Sequence, residues 1–546
     1  MTRPEQDRIL DHIFVSSCSL SGLKDHLPLR WPTPPHTPPS PKKSYRSAYA
    51  YQVWEELVDP DHWAECDEFE LLLHLVDFSG LREVLAMQLG WTSVKGQVPF
   101  DPVSLFLLLL WQITNSWSRA ETLRNLSKQR YADYAEHFGF RDGIFPTEGG
   151  LRHFLTALGK NSHDQASRVV VEQGKQMIEV GVQQLNQLIA QSVALIRASG
   201  VLSEETWQKG LICPDGQIHE AASRMRCQNV NATCYLPAPR SCSAKAKDLR
   251  GCECNTLRCA QVCKRATPQD PAARYVWYTG DNQNDQKDGE GFFGYRSLPL
   301  QLVDRKRRFS ITLLDDVLSA NQREEVPASA LLLQLEQHYP GLRVDAVAGD
   351  AGYGFEVFLQ TVYRHLRARR VVNLRRHQTD EDQSGWVLRG YDHRGRPICP
   401  YGYHLVFNGY DYSRQRTKWA CQKTCLKDTA PKVQLPEVTY PPLDCPYQHT
   451  DHPHGRIVNL GERFPDGSIR LVRDLPLGSP TWKSLYHRAR NAVEGRNATF
   501  ESWGLKRLPV FGRPRVTAFI FLADVLNNLT TLARLIRQAT LAHQYP

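Results

Sequence analysis

The chain reads as a mixed α/β protein: an α/β core broken by a β-rich insertion and preceded by a helical N-terminal domain. Three observations predict this. Residues 46–204 carry helix caps and amphipathic spacing, short apolar strands follow from residue 205, and residues 380–478 turn rich in Gly, Pro, Tyr and Cys. Length alone suggests roughly two to four domains.

Composition narrows the classes. The 546 residues carry a net charge of +9, which favours polyanionic partners without requiring them. The opening MTRPEQDRILDHIF holds acids and no long apolar core, and the apolar run Val103–Trp111 is about half a membrane span. A soluble, intracellular chain without a membrane partner is therefore expected. In that compartment the clustered ones among the 14 cysteines read as metal ligands or buried thiols rather than disulfides.

Taken in order, residues 1–45 read as a tail, because six of the ten residues from Pro32 to Pro41 are proline. Asp101-Pro102 supplies an N-cap and a first-turn proline, Ser118 with Glu121 resembles a capping box, and Thr147 caps a helix reaching Gly159. A longer amphipathic stretch runs from Asp164 to Ser199. Several short helices on a basic chain suit a DNA-binding bundle, and a purely structural bundle equally.

The core then begins at residue 205. Gly210–Asp215 is a short apolar strand ending on an acid. Tyr295–Val303 and Phe309–Leu314 follow as strands around the turn 304–307, and Leu342–Gly349 is a strand ending at Asp350. Phe355–Arg367 reads as a helix and Arg370–Leu374 as another strand. The first part of the core spans 205–379, the β-rich insertion 380–478 (with strand-like Tyr403–Phe407 and Ile469–Val472), and a helical C-terminal part 479–546, broken near Pro509–Pro514.

Asp215 and Asp350 each end a strand, and acids at adjacent strand ends of an open sheet point into one crevice. Tyr486, Arg490 and Glu494 repeat every four residues, which puts them on one helical face. Three clustered carboxylates need cations, and hard oxygen donors suit Mg2+ or Mn2+. Two such ions would support in-line phosphoryl displacement.

The segments P-D-G-Q-I-H-E-A, V-A-G-D-A-G-Y-G and Y-H-R-A-R-N-A-V-E-G-R-N-A-T-F-E-S-W-G-L-K-R resemble, in order, the three motifs of bacterial insertion-sequence DDE transposases with a Tyr-Arg-Glu helix. P-F-D-P-V-S-L-F-L-L-L-L-W and P-T-E-G-G-L-R-H-F-L resemble their helical N-terminal domain, so the resemblance covers about residues 50–540. It implies a ribonuclease H-like catalytic core, DNA cleavage at element ends and strand transfer into target DNA. It also implies Asp215, Asp350 and Glu494 as catalytic metal ligands, and a homo-oligomer working on double-stranded DNA in the bacterial cytoplasm, at the nucleoid. Tyr486, Arg490 and Lys506 become candidate DNA contacts. Departures are the longer Tyr-to-Arg spacing and Glu501 where members often place a lysine. Asp281, in Y-T-G-D-N, is a reserve for Asp215. The alternatives are a metal-dependent nuclease without strand transfer, or an inactive, zinc-stabilised DNA-binding derivative.

Two cysteine clusters stand outside these motifs. Cys227, Cys234, Cys242, Cys252, Cys254, Cys259 and Cys263 form one, with Cys252, Cys254, Cys259 and Cys263 as a candidate set for structural Zn2+. Cys399, Cys421, Cys425 and Cys445, followed by His449, His452 and His454, form the second. Basic residues gather at Arg364–Arg376 and Arg488–Arg515, with Trp503 among them, as phosphate-holding surfaces beside the proposed site.

Overall fold

Asp101, Ser118 and Thr147 each open a helix, because each side chain satisfies an amide that the first turn leaves without a partner. Their oxygens accept from Val103 N at 3.0 Å, Glu121 N at 3.2 Å and Gly150 N at 3.1 Å. Each cap contributes about 1 kcal/mol. The helices are Pro102–Thr114 (α1), Arg119–Leu126, and Glu148–Asp164 (α2), the last continuing past Gly159. This computed structural model describes residues 27–222, 225–227, 266–278, 290–373, 386–461 and 474–544. Within those ranges it leaves out residues 35, 36, 38, 41, 43, 92–96, 175, 269, 308, 387, 393–395, 412, 414–415, 428–429, 436–437 and 476–479.

Two expectations for this region need correction. The stretch Asp164–Ser199 is not one helix: Ser167–Gln173 and Gln176–Val182 pair as an antiparallel hairpin, and helix resumes only over Asn186–Ala198. Val169, Val170 and Val171 stiffen the chain towards extended backbone. Gly174 takes φ of +62° at the turn, where a side chain would be strained. The presumed tail is also anchored at its far end. Leu29–Arg30 pairs in parallel with Val76–Asp77, and Trp31 is buried with its Nε1 donating to Gln191 Oε1 at 3.0 Å.

The central sheet has five strands: Gly210–Pro214 (β1), Leu300–Val303 (β2), Ser310–Leu314 (β3), Val344–Gly349 (β4) and Arg369–Val372 (β5). Their spatial order is β3-β2-β1-β4-β5. β2 is antiparallel to β1 and β3, whereas β4 is parallel to β1 and β5. Tyr295–Val303, expected as one strand, is split. Glu290–Ser297 joins a second sheet with Gln217–Glu220, Arg274–Tyr278 and Val317–Ser319. Pro299 has no N–H for a ladder and stands where the chain changes sheets. Glu325–His338 (α3) precedes β4. Between β4 and β5 the helix is shorter than expected, Glu356–Gln360, and loosens into a π turn over Thr361–His365.

Alternation along the strands separates two faces. Leu211, Cys213, Val303, Ala346, Ala348 and Val371 pack under Trp482, Leu485, Ala489, Ala492 and Val493 of Pro480–Ser502 (α4). Ile212, Leu300, Leu302, Val347 and Val372 point the other way, into one core shared with the N-terminal helices and Arg513–Gln544 (α5). Val103–Trp111 lies in the short apolar helix α1, whereas α5 is the longer apolar one. It is long and apolar enough to cross a membrane, but its apolar window is wholly inside the fold. Asn528 of α5 seals the edge strand β3: Thr312 N donates to its Oδ1 and its Nδ2 donates to Thr312 O, both at 2.8 Å.

In the insertion, Val406–Asp411, Arg416–Ala420 and Ile457–Gly461 form an antiparallel sheet over a small core of Leu388, Cys399, Leu405, Val458 and Leu460. Residues 469–472, expected as a strand, lie outside the described residues.

Candidate functional site

Because β1 and β4 are parallel neighbours, Asp215 and Asp350, the residues following each, leave the sheet at the same edge. Their surroundings differ. Asp215 is buried, with Oδ1 accepting from Arg490 Nη1 at 2.6 Å and Oδ2 from Asn497 Nδ2 at 3.0 Å. Burial pushes the Asp215 carboxyl upward; Arg490 and Asn497 pull it down, Asp350 adds to the rise, and the balance stays raised. Asp350 is exposed and caps a short 3-10 turn, Oδ1 accepting from Gly352 N at 2.8 Å. Burial works against the charge of Arg490, but the Asp215 carboxylate beside it holds its pKa above the ordinary arginine value.

α4 presents the Tyr-Arg-Glu face as its four-residue spacing requires. Tyr486 stacks on Trp482 with ring centroids 4.7 Å apart, and its hydroxyl accepts from Asn373 Nδ2 at 2.8 Å. Arg490 reaches Asp215. Glu494 lies 3.9 Å from Arg490 Nη2 with its side chain 64% exposed. Two features of this face bear on the expected roles. Tyr486 and Arg490 each have a partner within the protein, Asn373 and Asp215. The three carboxylates do not close into a ready-made metal cage: among the described residues no group of three His, Cys, Asp or Glu side chains stands so placed. The Arg490 guanidinium lies between Asp215 and Glu494 and already supplies a positive charge.

A further acid, unnoticed in the sequence, belongs to this neighbourhood. Glu324, at the N-terminus of α3, accepts from Arg296 Nη1 at 2.5 Å and from the Tyr353 hydroxyl at 2.5 Å. Burial raises its pKa, Arg296 opposes the rise, and Asp215 and Asp350 add to it, so it shares their field. Its position accounts for the glycine of the first aspartate motif, and its partner Tyr353 for the glycine before the second aspartate. A Cβ at Gly216 would stand 2.7 Å from the Glu324 carboxyl carbon, and one at Gly349 would stand 3.1 Å from the Tyr353 ring. An acid before a helix looks like an ordinary dipole-favourable residue in sequence, which hides this role. The buried Tyr353 of D-A-G-Y was the available signal, since a buried hydroxyl requires a partner.

The remaining candidates divide. Lys506 is exposed in the turn after α4, where its carbonyl accepts from Glu220 N at 2.7 Å. Asp281, Cys252, Cys254, Cys259 and Cys263 lie outside the described residues. Cys399, Cys421 and Cys425 are free thiols, Cys445 is partly buried near them, and burial pushes Cys399 up to about 11. Much of the expected basic surface is spent internally. Arg364 pairs with Glu172, Arg370 with Asp474, and Arg369 with Asp345, while Arg496 is buried between Asp315 and Asp524. Composition counts cations but not their partners. No protein-family model, no curated protein and no solved structure matches this chain.

Proposed function

We propose that this chain is a DDE-type transposase that cleaves DNA at element ends and joins the freed 3′-OH to target DNA. The observation that carries the reading is the pair Asp215 and Asp350 at one edge of parallel β1 and β4, with Arg490 of the Tyr-Arg-Glu helix bonded to the first. The ribonuclease H-like core belongs to the same proposal. It is supported by the order β3-β2-β1-β4-β5, with an antiparallel β1–β2–β3 run followed by a parallel strand, helix and strand.

Asp215, Asp350 and Glu494 offer oxygen donors alone, which fits Mg2+ or Mn2+, and the raised Asp215 carboxyl favours added positive charge. Two such ions, when bound, would activate the attacking oxygen and stabilise the leaving oxygen of phosphoryl transfer. The chain's own contribution is alignment. Arg490 and Asn497 each hold one oxygen of Asp215, and Gly352 N holds one of Asp350. Glu494, exposed one turn beyond Arg490, can turn inward as the guanidinium yields. Double-stranded DNA as partner, a homo-oligomer on it, and structural Zn2+ on Cys252, Cys254, Cys259 and Cys263 remain parts of this proposal. A second reading, an inactive DNA-binding derivative, draws on Arg490 already occupying Asp215.

The test uses the full chain with Mg2+ or Mn2+ and duplexes carrying whatever inverted repeats sequencing finds beside its coding region; their absence would favour the inactive reading. Cleavage and strand-transfer products are expected, and cleavage without joining would favour the nuclease alternative. Glu494→Gln should lower cleavage by about 1000-fold or more, a metal ligand's share of such chemistry, while DNA binding persists. Glu501→Gln should stay within a few-fold of the native chain. Normal cutting by Glu494→Gln would sink the assigned triad, and no cutting by the native chain would favour the inactive reading.

A further inference from the structure

We infer that the cleft between residues 149–156 of α2 and the Phe511–Arg515 connection is a phosphate site for the nucleic-acid backbone, with Arg152 and Arg515 as its cations. This rests on the DNA reading above and names an anchor for it away from the acidic edge. The cleft encloses about 550 Å3 and is lined by Arg152, His153, Thr156, Phe511, Gly512 and Arg515 among others.

Its walls are far apart in sequence and fixed in space. A Cβ at Gly159 would fall 1.7 Å from Pro514 O, so only glycine lets this connection lie directly on α2. His163 Nε2 stands 3.1 Å from Thr517 Oγ1 one turn further along α2. Gly512 holds φ at +87° and its N–H donates to Asp270 Oδ2 at 2.7 Å, which sets the bend that brings Phe511 and Arg515 together. The Arg515 guanidinium lies 4.4 Å from the Phe511 ring centroid, and that ring is 39% exposed.

The charges are unbalanced. Arg119, Arg152 and Arg515 make no ion pair with a carboxylate among the described residues, Glu148 and Asp270 acting on them only from a distance. Arg119 Nη1 is buried without a hydrogen-bond partner. Burial and then the repulsion of Arg119 and Arg152 depress the pKa of Arg515, against Asp270; burial lowers that of Arg119, where Glu148 opposes the fall and Arg152 adds to it. Three guanidiniums that repel one another are relieved by an anion, and Arg matches the forked geometry of a phosphate. Arg152 and His153 at the exposed rim leave the cleft open along one side, as a backbone passing through requires. The exposed Phe511 face suits stacking against an adjoining nucleoside.

Fluorescence anisotropy of the full chain on a random-sequence duplex, across a salt series, tests this. The Arg152→Ala/Arg515→Ala variant should bind roughly tenfold more weakly, and its log K against log [salt] slope should be shallower by about two. Thr156→Glu, which adds an anion to the cleft and removes no arginine, should also weaken binding, and thermal melting checks that both variants are folded. Native affinity and slope in both variants, with a steep slope in the native chain, overturn the inference and leave the DNA reading standing. A native chain that binds no duplex at any salt overturns both. Inorganic phosphate titrated calorimetrically separates a small-anion site: phosphate binding lost in the double variant while duplex affinity is unchanged would overturn the backbone assignment.

Discussion

Arg490 and Arg496 stand less than two turns apart on α4, both bonded to aspartates, and their settings are opposite. Arg496 donates to Asp524 Oδ1 at 2.8 Å and to Gln217 Oε1 at 3.0 Å, lies 3.5 Å from Asp315, and covers the Phe500 ring at 3.8 Å. Its side chain is 1% exposed, and those of both aspartates are 0%. Arg490 holds one short bond to Asp215, with side-chain exposures of 21% and 12%, and faces the solvated Glu494. A sealed pair cannot open without leaving a charge stranded in low dielectric. A pair at the rim can exchange its partner for water or another cation, and that is what a metal site at Asp215 would demand.

Breaking the sealed pair should produce the largest effect. Arg496→Leu leaves Asp315 and Asp524 facing each other without compensation and should cost about 3–5 kcal/mol in denaturant unfolding. Arg490→Gln, at the rim, should cost about 1–2 kcal/mol. Equal costs would erase the distinction between the two arginines.

Acid sharpens the comparison next. His219 is buried on the strand after Asp215, with Nδ1 2.8 Å from Leu505 O and Nε2 2.9 Å from Ser297 Oγ. A neutral ring donating to the carbonyl and accepting from the hydroxyl satisfies both. Burial, aided by Arg496, lowers its pKa to about 4. The unfolded chain therefore binds a proton near pH 6.5 that the fold refuses, so this residue's contribution is present above pH 6.5 and declines as pH falls to about 4. The decline should reach about 3 kcal/mol. Melting temperatures of the native chain and His219→Asn across that window would expose the difference, and parallel pH curves would refute it.

The smallest effect concerns the acidic edge alone. Gly216→Ala drives a methyl group onto the Glu324 carboxylate and should cost about 1–2 kcal/mol. A neutral outcome in chemical unfolding would mean that Glu324 swings away freely and is not held by Arg296 and Tyr353.

The features legible in the sequence were those written locally. Asp101, Ser118 and Thr147 announced their helices, and apolar runs ending on Asp215 and Asp350 announced the two strands, because caps and strand ends are decided within a few residues. The hairpin 167–182 was misread because its surroundings are amphipathic, although Val169–Val171 and Gly174 carried the signal. The split at Pro299 needed a knowledge of which sheet each half would join. Glu324, and the internal partners of Arg364, Arg370 and Arg496, depend on contacts between distant segments that spacing cannot display.

The Asn528 side chain that seals β3 has a consequence for how the protein is made. Thr312 and Asn528 are 216 residues apart, so on the ribosome β3 emerges long before the group that occupies its edge exists. At roughly 5–20 residues per second the interval is on the order of 10–40 s. Throughout it the nascent sheet has an open strand beside a still uncovered apolar face, which places its greatest exposure to misassembly during synthesis rather than in the finished molecule.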